Sequence, residues 1–283
     1  MERFGMERFG PAQRGGRLRL RGVKHLVLVG SGKGGVGKSS VSVNLAVALA
    51  RQGASVGLLD ADAYGPSVPM MLGVRKPDAG EGWNATLPLG QRAGAAPTLL
   101  PLERYSVRVM SVGFFIGEEQ AVAPMPDVLG MLVRQLLHAV DWGALDFLLV
   151  DLPPGTAEPQ ATLCRELAVS GALLVTTPQD IARIDTAKAL AMFRANGVRV
   201  LGVVENMSGF ICPHCGERSD IFTPSGRART ELDELPVLGT LPLDPAAARD
   251  GDQGHPIVVA APDSQVARAC TALAARVADA LTR

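Results

Sequence analysis

Residues 32–39 read Gly-Lys-Gly-Gly-Val-Gly-Lys-Ser. In the pattern G-x-x-x-x-G-K-[ST], the backbone N–H groups of a glycine-rich turn converge on phosphate oxygens, and the N-terminus of the following helix adds positive potential. Gly32, Gly34, Gly35 and Gly37 allow backbone conformations and a close approach that a β-carbon would obstruct. The same pattern sends Lys38 to the β- and γ-phosphates and the Ser39 hydroxyl to Mg²⁺, with Val36 and Ser40 completing the cradle. ATP with Mg²⁺ is therefore the expected ligand. Two apolar runs end in carboxylates. Leu58-Leu59-Asp60-Ala61-Asp62 delivers Asp62, and Phe147-Leu148-Leu149-Val150-Asp151 delivers Asp151 in the form that holds Mg²⁺ through water. Leu152-Pro153-Pro154-Gly155-Thr156 follows as a loop near the γ-phosphate. A strand-end Asp alone could cap a helix. Beside this phosphate loop, the set predicts ATP hydrolysis.

A second constellation is Cys212-Pro213-His214-Cys215-Gly216. Two residues between cysteines let both thiolates converge on one metal, and Gly216 eases the turn. Tetrahedral Zn²⁺ or an iron–sulfur cluster needs more than two ligands, and the chain has no second C-x-x-C. Either another molecule completes the site or the pair is a redox couple. The redox motif starts a helix after a strand, whereas this pair falls in an irregular stretch, so metal is favoured. Two copies of the chain would supply enough thiolates for one [4Fe–4S] cluster or one Zn²⁺, and thiolate chemistry accepts both metals. His214 is expected to face solvent. Cys164 and Cys270 stand alone in helical patterns and read as small buried hydrophobes.

The elements that must position these groups are legible from periodicity. Strands are predicted at His25–Gly30, Ser55–Asp60, Val107–Val112, Phe147–Asp151, Ala172–Thr176, Val198–Val204 and Val237–Thr240. Helices are predicted at Gly37–Gln52, Asp127–Val140, Ala161–Ala168, Ile181–Ala195 and Ser264–Leu281. Strands apolar nearly throughout imply a sheet buried on both faces, and the βα alternation implies right-handed parallel crossovers. The expected fold is α/β of the P-loop NTPase kind: a mostly parallel sheet with helices on both faces, in three α/β/α layers. One domain spans 23–283, with a C-x-x-C insertion at about 207–224 and a Gly/Pro-rich surface excursion from Gly73 to Leu102. Residues 1–22 read as a flexible tail. A formal net charge of zero argues against bulk attraction to nucleic acid or an anionic membrane. No apolar run is long enough to span a bilayer, and a cytoplasmic location is expected.

With these residues in view, the chain from about Val23 onward resembles the Mrp-type (ApbC/Nbp-like) iron–sulfur cluster carrier ATPases. The resemblance is carried by Ser31–Ser40, Leu58–Pro69, Val150–Thr156, Val175–Asp180, Val203–Phe222, Gly239–Asp244 and His255–Ser264. Its most discriminating part is Glu205-Asn206-Met207-Ser208-Gly209 running into the cysteine pair. The tandem lysines resemble the deviant Walker A class, which implies that Lys33 reaches across a dimer interface to the partner's nucleotide. The resemblance further implies that Asp62 orients the attacking water and that Asn206 reads adenine. It implies a homodimer that holds a [4Fe–4S] cluster at Cys212 and Cys215. Apo iron–sulfur proteins would be recipients, and a cluster-assembly scaffold a possible donor, with no nucleic acid or membrane partner. Where the family shows Trp-Arg-Gly-Pro, this chain has Pro124-Met125-Pro126-Asp127. The alternative is a positioning or regulatory switch like the septum-site and plasmid-partition ATPases (MinD/ParA-like) with a structural zinc knuckle. Against it, Ser264–Leu281 is Ala-rich and lightly charged, as a packed closing helix would be.

Overall fold

The computed structural model describes residues 17–74, 89–90, 98–115, 126–156, 158–212, 214–215, 217–222 and 230–282. Residues 1–16 of the expected tail, most of the expected excursion, Pro124, Met125, Pro213 and Gly216 lie outside the described residues.

The chain opens with β1 (Val23–Ser31), α1 (Lys38–Arg51), β2 (Val56–Asp60) and the one-turn α2 (Val68–Met71). Two short strands, β3 (Leu89–Gly90) and β4 (Thr98–Leu99), pair with each other before β5 (Leu102–Arg104), β6 (Val107–Ser111), α3 (Pro126–Ala139) and β7 (Leu145–Asp151). Then come α4 (Glu158–Glu166), β8 (Gly171–Thr176), α5 (Asp180–Ala195) and β9 (Val200–Glu205). A small hairpin of β10 (Phe210–Ile211) and β11 (Arg218–Ser219) precedes β12 (Val237–Thr240), α6 (Pro245–Asp252), α7 (Ile257–Ala260) and α8 (Gln265–Thr282).

The main sheet has eight strands in the order β12-β9-β8-β1-β7-β2-β6-β5. Its pairs are parallel except β5 with β6. Side chains alternate faces along a strand, and both faces of β1 are covered. Val27 and Val29 join the core beneath α1 and α8, while Leu26 and Leu28 join the core beneath α3, α4 and α5. This is the expected three-layer arrangement. The α8 face of Val266, Cys270, Leu273 and Val277 is buried in the first of those cores.

Register is what builds the site. Val29 of β1 and Asp60 of β2 both lie opposite Asp151 of β7. The phosphate loop and the carboxylates that end β2 and β7 therefore emerge together at the carboxyl edge of the sheet, where open α/β sheets bind ligands.

Several expectations are corrected. The chain before Val23 is not a free tail from residue 17 onward. Leu18 donates its N–H to Glu166 O at 2.7 Å and accepts from Ala168 N–H at 2.8 Å. Leu18 and Leu20 pack against the core, and the Arg17 guanidinium donates to the Asn196 and Gly197 carbonyls at the end of α5. Strand β5 was unforeseen because its turn is disguised. Tyr105 and Ser106 both take positive φ, 51° and 60°, as a type I′ hairpin requires, yet neither is the Asn or Gly that normally announces one. The Tyr105 hydroxyl donates to Gly254 O at 2.9 Å, fixing the turn from outside. The irregular 207–224 stretch contains the β10–β11 hairpin, whose strands are too short to show a period.

Candidate nucleotide site and cysteine hairpin

Asp151 is the hub of the site and is fully buried. Its Oδ2 accepts from Lys38 Nζ at 2.8 Å and from Ser39 Oγ at 2.6 Å, and its Oδ1 accepts from Ser42 Oγ at 2.6 Å. Lys38 begins α1, one turn before Ser42, so helical spacing delivers all three donors to one carboxylate. Lys38 is 6% exposed and also lies 4.0 Å from Asp62 Oδ2. Burial raises the Asp62 carboxyl above its ordinary range, and the Lys38 ammonium opposes that shift.

Asp60 lies at the end of β2 with no exposure. It accepts from the N–H groups of Asp62 at 3.1 Å and Val68 at 3.3 Å, and from Ser111 Oγ at 3.0 Å. Its carboxylate thus ties both ends of the loop that carries Asp62. Burial, with Asp151 as a neighbour, pushes this carboxyl up to about 8. Lys38 is set between Asp62 and Asp151, and its charge also opposes the rise at Asp60. Ser39 and Asp151 offer a hydroxyl and a carboxylate, the oxygen donors that a hard cation such as Mg²⁺ takes. Sequence reasoning missed Ser42, Asp60 and Ser111 as parts of this network. The first was readable from its spacing behind Ser39 on one helix face.

The phosphate loop has the geometry its glycines predict. Gly35 and Gly37 take φ of 81° and 80°, the left-handed region that disfavours a β-carbon. At Gly32 a β-carbon would lie 2.1 Å from the Asp185 carbonyl carbon, so α5 abuts the loop. Lys33, Gly34, Gly35, Val36, Gly37, Lys38, Ser39, Ser40 and Asp62 line an open cleft of about 200 Å³, with Pro154 of the Leu152–Thr156 loop beside them. Gln160, almost fully buried, donates Nε2 to Pro153 O at 3.2 Å and Pro154 O at 3.1 Å, holding that loop's backbone. The Lys33 side chain is half-exposed on the cleft wall. Asn206 anchors its N–H on Thr176 O at 2.8 Å and donates Nδ2 to Val36 O at 2.9 Å, so its amide is engaged with the phosphate loop itself.

Cys212 and Cys215 lie at the end of the β10–β11 hairpin, the first half-buried and the second exposed. Cys212 N–H donates to Glu217 O at 2.9 Å, closing the hairpin. The backbone N–H groups of Cys215 and His214 favour the Cys212 thiolate and lower its pKa, with a smaller contribution from the Cys215 thiol. His214 is exposed, as expected. The other cysteines are the opposite case: burial pushes the Cys164 and Cys270 thiols up to about 12. Among the described residues, no group of three or more His, Cys, Asp or Glu is placed to hold a metal. Also among them, no helix is long and apolar enough to cross a membrane.

Comparison with known proteins places the whole arrangement. Residues 22–278 match the model of the NUBPL iron-transfer P-loop NTPase family. An iron-sulfur cluster carrier protein of Deinococcus radiodurans is 48% identical over 255 residues, covering 90% of this chain and 69% of that protein. An Arabidopsis thaliana iron-sulfur protein required for NADH dehydrogenase, mitochondrial, is 41% identical over 280 residues, 97% of this chain and 85% of its own. Among solved structures, an Archaeoglobus fulgidus nucleotide-binding protein in complex with ADP is 34% identical with a TM-score of 0.67, covering 83% of this chain and 88% of that one. The Pyrococcus furiosus cell division ATPase MinD is 27% identical with a TM-score of 0.65, covering 90% and 99%. With the family model matched over nearly the whole chain, the chain belongs to the NUBPL iron-transfer P-loop NTPase family.

Proposed function

We propose that this protein is an ATP-hydrolysing iron–sulfur cluster carrier. In this reading a homodimer holds a [4Fe–4S] cluster at Cys212 and Cys215 of both copies and passes it to apo-proteins, having received it from an assembly scaffold. The observation that carries the reading is the solvent-accessible thiol pair on a hairpin of the same domain that buries Lys38 against Asp151. Two thiols are too few for a cluster, which favours a second copy. Exposed apolar side chains near the cleft favour the same conclusion: Tyr64 follows Asp62, and Ile181 and Ile184 stand on the first turns of α5.

The chain's own groups would divide the chemistry as follows. The glycine-rich backbone from Gly32 to Gly37 and the start of α1 bind the phosphates, and Lys38 shifts from Asp151 toward them. Ser39 and Asp151 would hold Mg²⁺, which supplies charge neutralisation at the phosphates when bound. Asp62 orients water for attack on the γ-phosphorus; the bond to the bridging oxygen breaks, leaving ADP and phosphate. Lys33 of one copy stabilises charge on the other copy's nucleotide, as an arginine finger does. Asn206, whose amide also bonds Val36 O of the loop, would read the adenine base.

A second reading, a MinD-like switch with structural zinc, is favoured by the fold likeness alone. Anaerobic reconstitution with iron and sulfide decides between them. The carrier reading expects about four irons and four sulfides per dimer, lost in Cys212→Ala/Cys215→Ala while ATP binding persists. Zinc retained without bound sulfide would reverse the order of the two readings.

A further inference from the structure

Asn206 joins two places that the carrier reading treats separately. Its backbone N–H is fixed on Thr176 O at 2.8 Å at the end of β8, and its Nδ2 holds Val36 O at 2.9 Å in the middle of the phosphate loop. The contact is tight, because a β-carbon on Gly37 would lie 2.2 Å from that same Nδ2. The loop's glycine at 37 is therefore needed as much for the carboxamide as for phosphate.

From Asn206 the chain runs to Cys212 with little slack. Met207 takes a left-handed φ of 55°, a strained choice for a side chain of that size. Its methyl group lies 3.7 Å from the same Gly37 position. Ser208 N–H donates to Leu241 O at 2.9 Å, and its hydroxyl donates to Glu205 Oε1 at 2.7 Å. Gly209 O accepts from Leu243 N–H at 2.7 Å, and Phe210 bridges to Leu243. Cys212 then closes the hairpin through Glu217. Ser208, Gly209 and Phe210 are thus tied to the segment after β12, Ile211 and Cys212 to the facing arm of the hairpin, and the strained Met207 stands between them and Asn206. A peptide rotation at Val36 must either break the Asn206 bond or carry Asn206 with it, and the tethers pass that displacement toward the cysteines.

We infer that Asn206 is a positioning residue that couples occupancy of the phosphate loop to the state of Cys212 and Cys215 within a single chain, through the tethered segment 206–212. The inference rests on the carrier reading and deepens it by giving the link between nucleotide and thiols a route independent of dimer geometry. Coupling of this kind is reciprocal in equilibrium terms, so occupants of the thiol pair must alter nucleotide affinity equally.

The test uses the reduced, metal-free full chain, with iodoacetamide labelling of Cys212 and Cys215 followed by peptide mass spectrometry. Labelling is compared with and without saturating Mg²⁺ and a non-hydrolysable ATP analogue, over a range of protein concentrations. Wild type is expected to change its labelling rate about fivefold or more, a typical coupling size, at every concentration. Asn206→Ala also gives up a nucleotide contact, so it is assayed at the higher analogue concentration that saturates it, where it should lose that response. Should that variant fail to bind, Gly209→Ala keeps the test open. Gly209, between the loop and the cysteines, takes φ of 79°, which disfavours a β-carbon, so this variant too should bind nucleotide and lose the response. A full response in either nucleotide-bound variant overturns the inference, as does a wild-type response that appears only at dimer-forming concentrations. Wild type that binds the analogue without any labelling change overturns the inference alone. Wild type that does not bind it removes the carrier reading as well.

Discussion

Asp151 shows why residues in this site cannot be exchanged one at a time. Without Lys38 its buried carboxylate keeps two hydroxyl donors but no cation, and an unpaired buried charge costs about 3–5 kcal/mol. Lys38→Ala should therefore lower stability in denaturant unfolding without nucleotide, as well as lose nucleotide affinity. Lys33 lines the same cleft half-exposed, so Lys33→Ala should leave both stability and affinity near wild type. Its loss should appear in turnover, on the order of 10³-fold if it acts as an arginine finger does; normal hydrolysis by the purified variant would remove the in-trans role. Asp60 adds a pH signature. Its folded carboxyl titrates near 8 against 3.8 for the ordinary side chain, so the folded state retains a proton that the unfolded state releases in between. That contribution is complete below the unfolded value and is lost as pH rises through the folded one. Wild-type thermal stability should thus fall between about pH 5 and pH 8 more steeply than that of Asp60→Asn; parallel slopes would place the titration elsewhere.

At the scale of elements, the clearest prediction concerns the segment ahead of β1. Leu18 and Leu20 face the core while Arg17, Arg19 and Arg21 face out, and Arg17 serves the carbonyls at the end of α5. A chain starting at Val23 should be less stable than one starting at Arg17 by about 2–3 kcal/mol, the worth of two partly buried leucines, read from denaturant midpoints. The alternation of Arg and Leu was a strand-like signal in the sequence, masked by the basic composition around it. What was legible followed from strong periods and a fixed motif: every predicted strand found its place in the main sheet, because runs such as Leu26–Val29 can only be buried on both faces. What was not legible depended on distant partners. The Tyr105–Ser106 turn is held by Gly254, and the β10–β11 strands are two residues each, too short to announce a period. The phosphate loop could be read whole because backbone geometry dictates its glycines. The Asp60–Ser111 bond could not, because it joins strands separated by 51 positions.

At the scale of the molecule, the question is what the face around the cleft meets. Ile181 is 62% exposed and Ile184 44%, one helical turn apart on the start of α5. Gly32 packs against the backbone of Asp185 and Thr186, so this apolar pair is fixed to the phosphate loop beside Lys33. Tyr64, 62% exposed, follows Asp62 on the loop that Asp60 secures. A second copy seated on these residues would bury them and bring its own Lys33 toward the nucleotide. If the dimer is the hydrolysing unit, activity per chain should rise with protein concentration and then level off. Ile184→Glu places a charge in that contact without touching the core, so the variant should fold and bind ATP as wild type does. Its activity per chain should stay low at concentrations where wild type has saturated, and sedimentation with a non-hydrolysable ATP analogue should find it monomeric. A variant that remains dimeric and fully active would move the dimer interface away from α5, and with it the route by which Lys33 reaches a partner's phosphates.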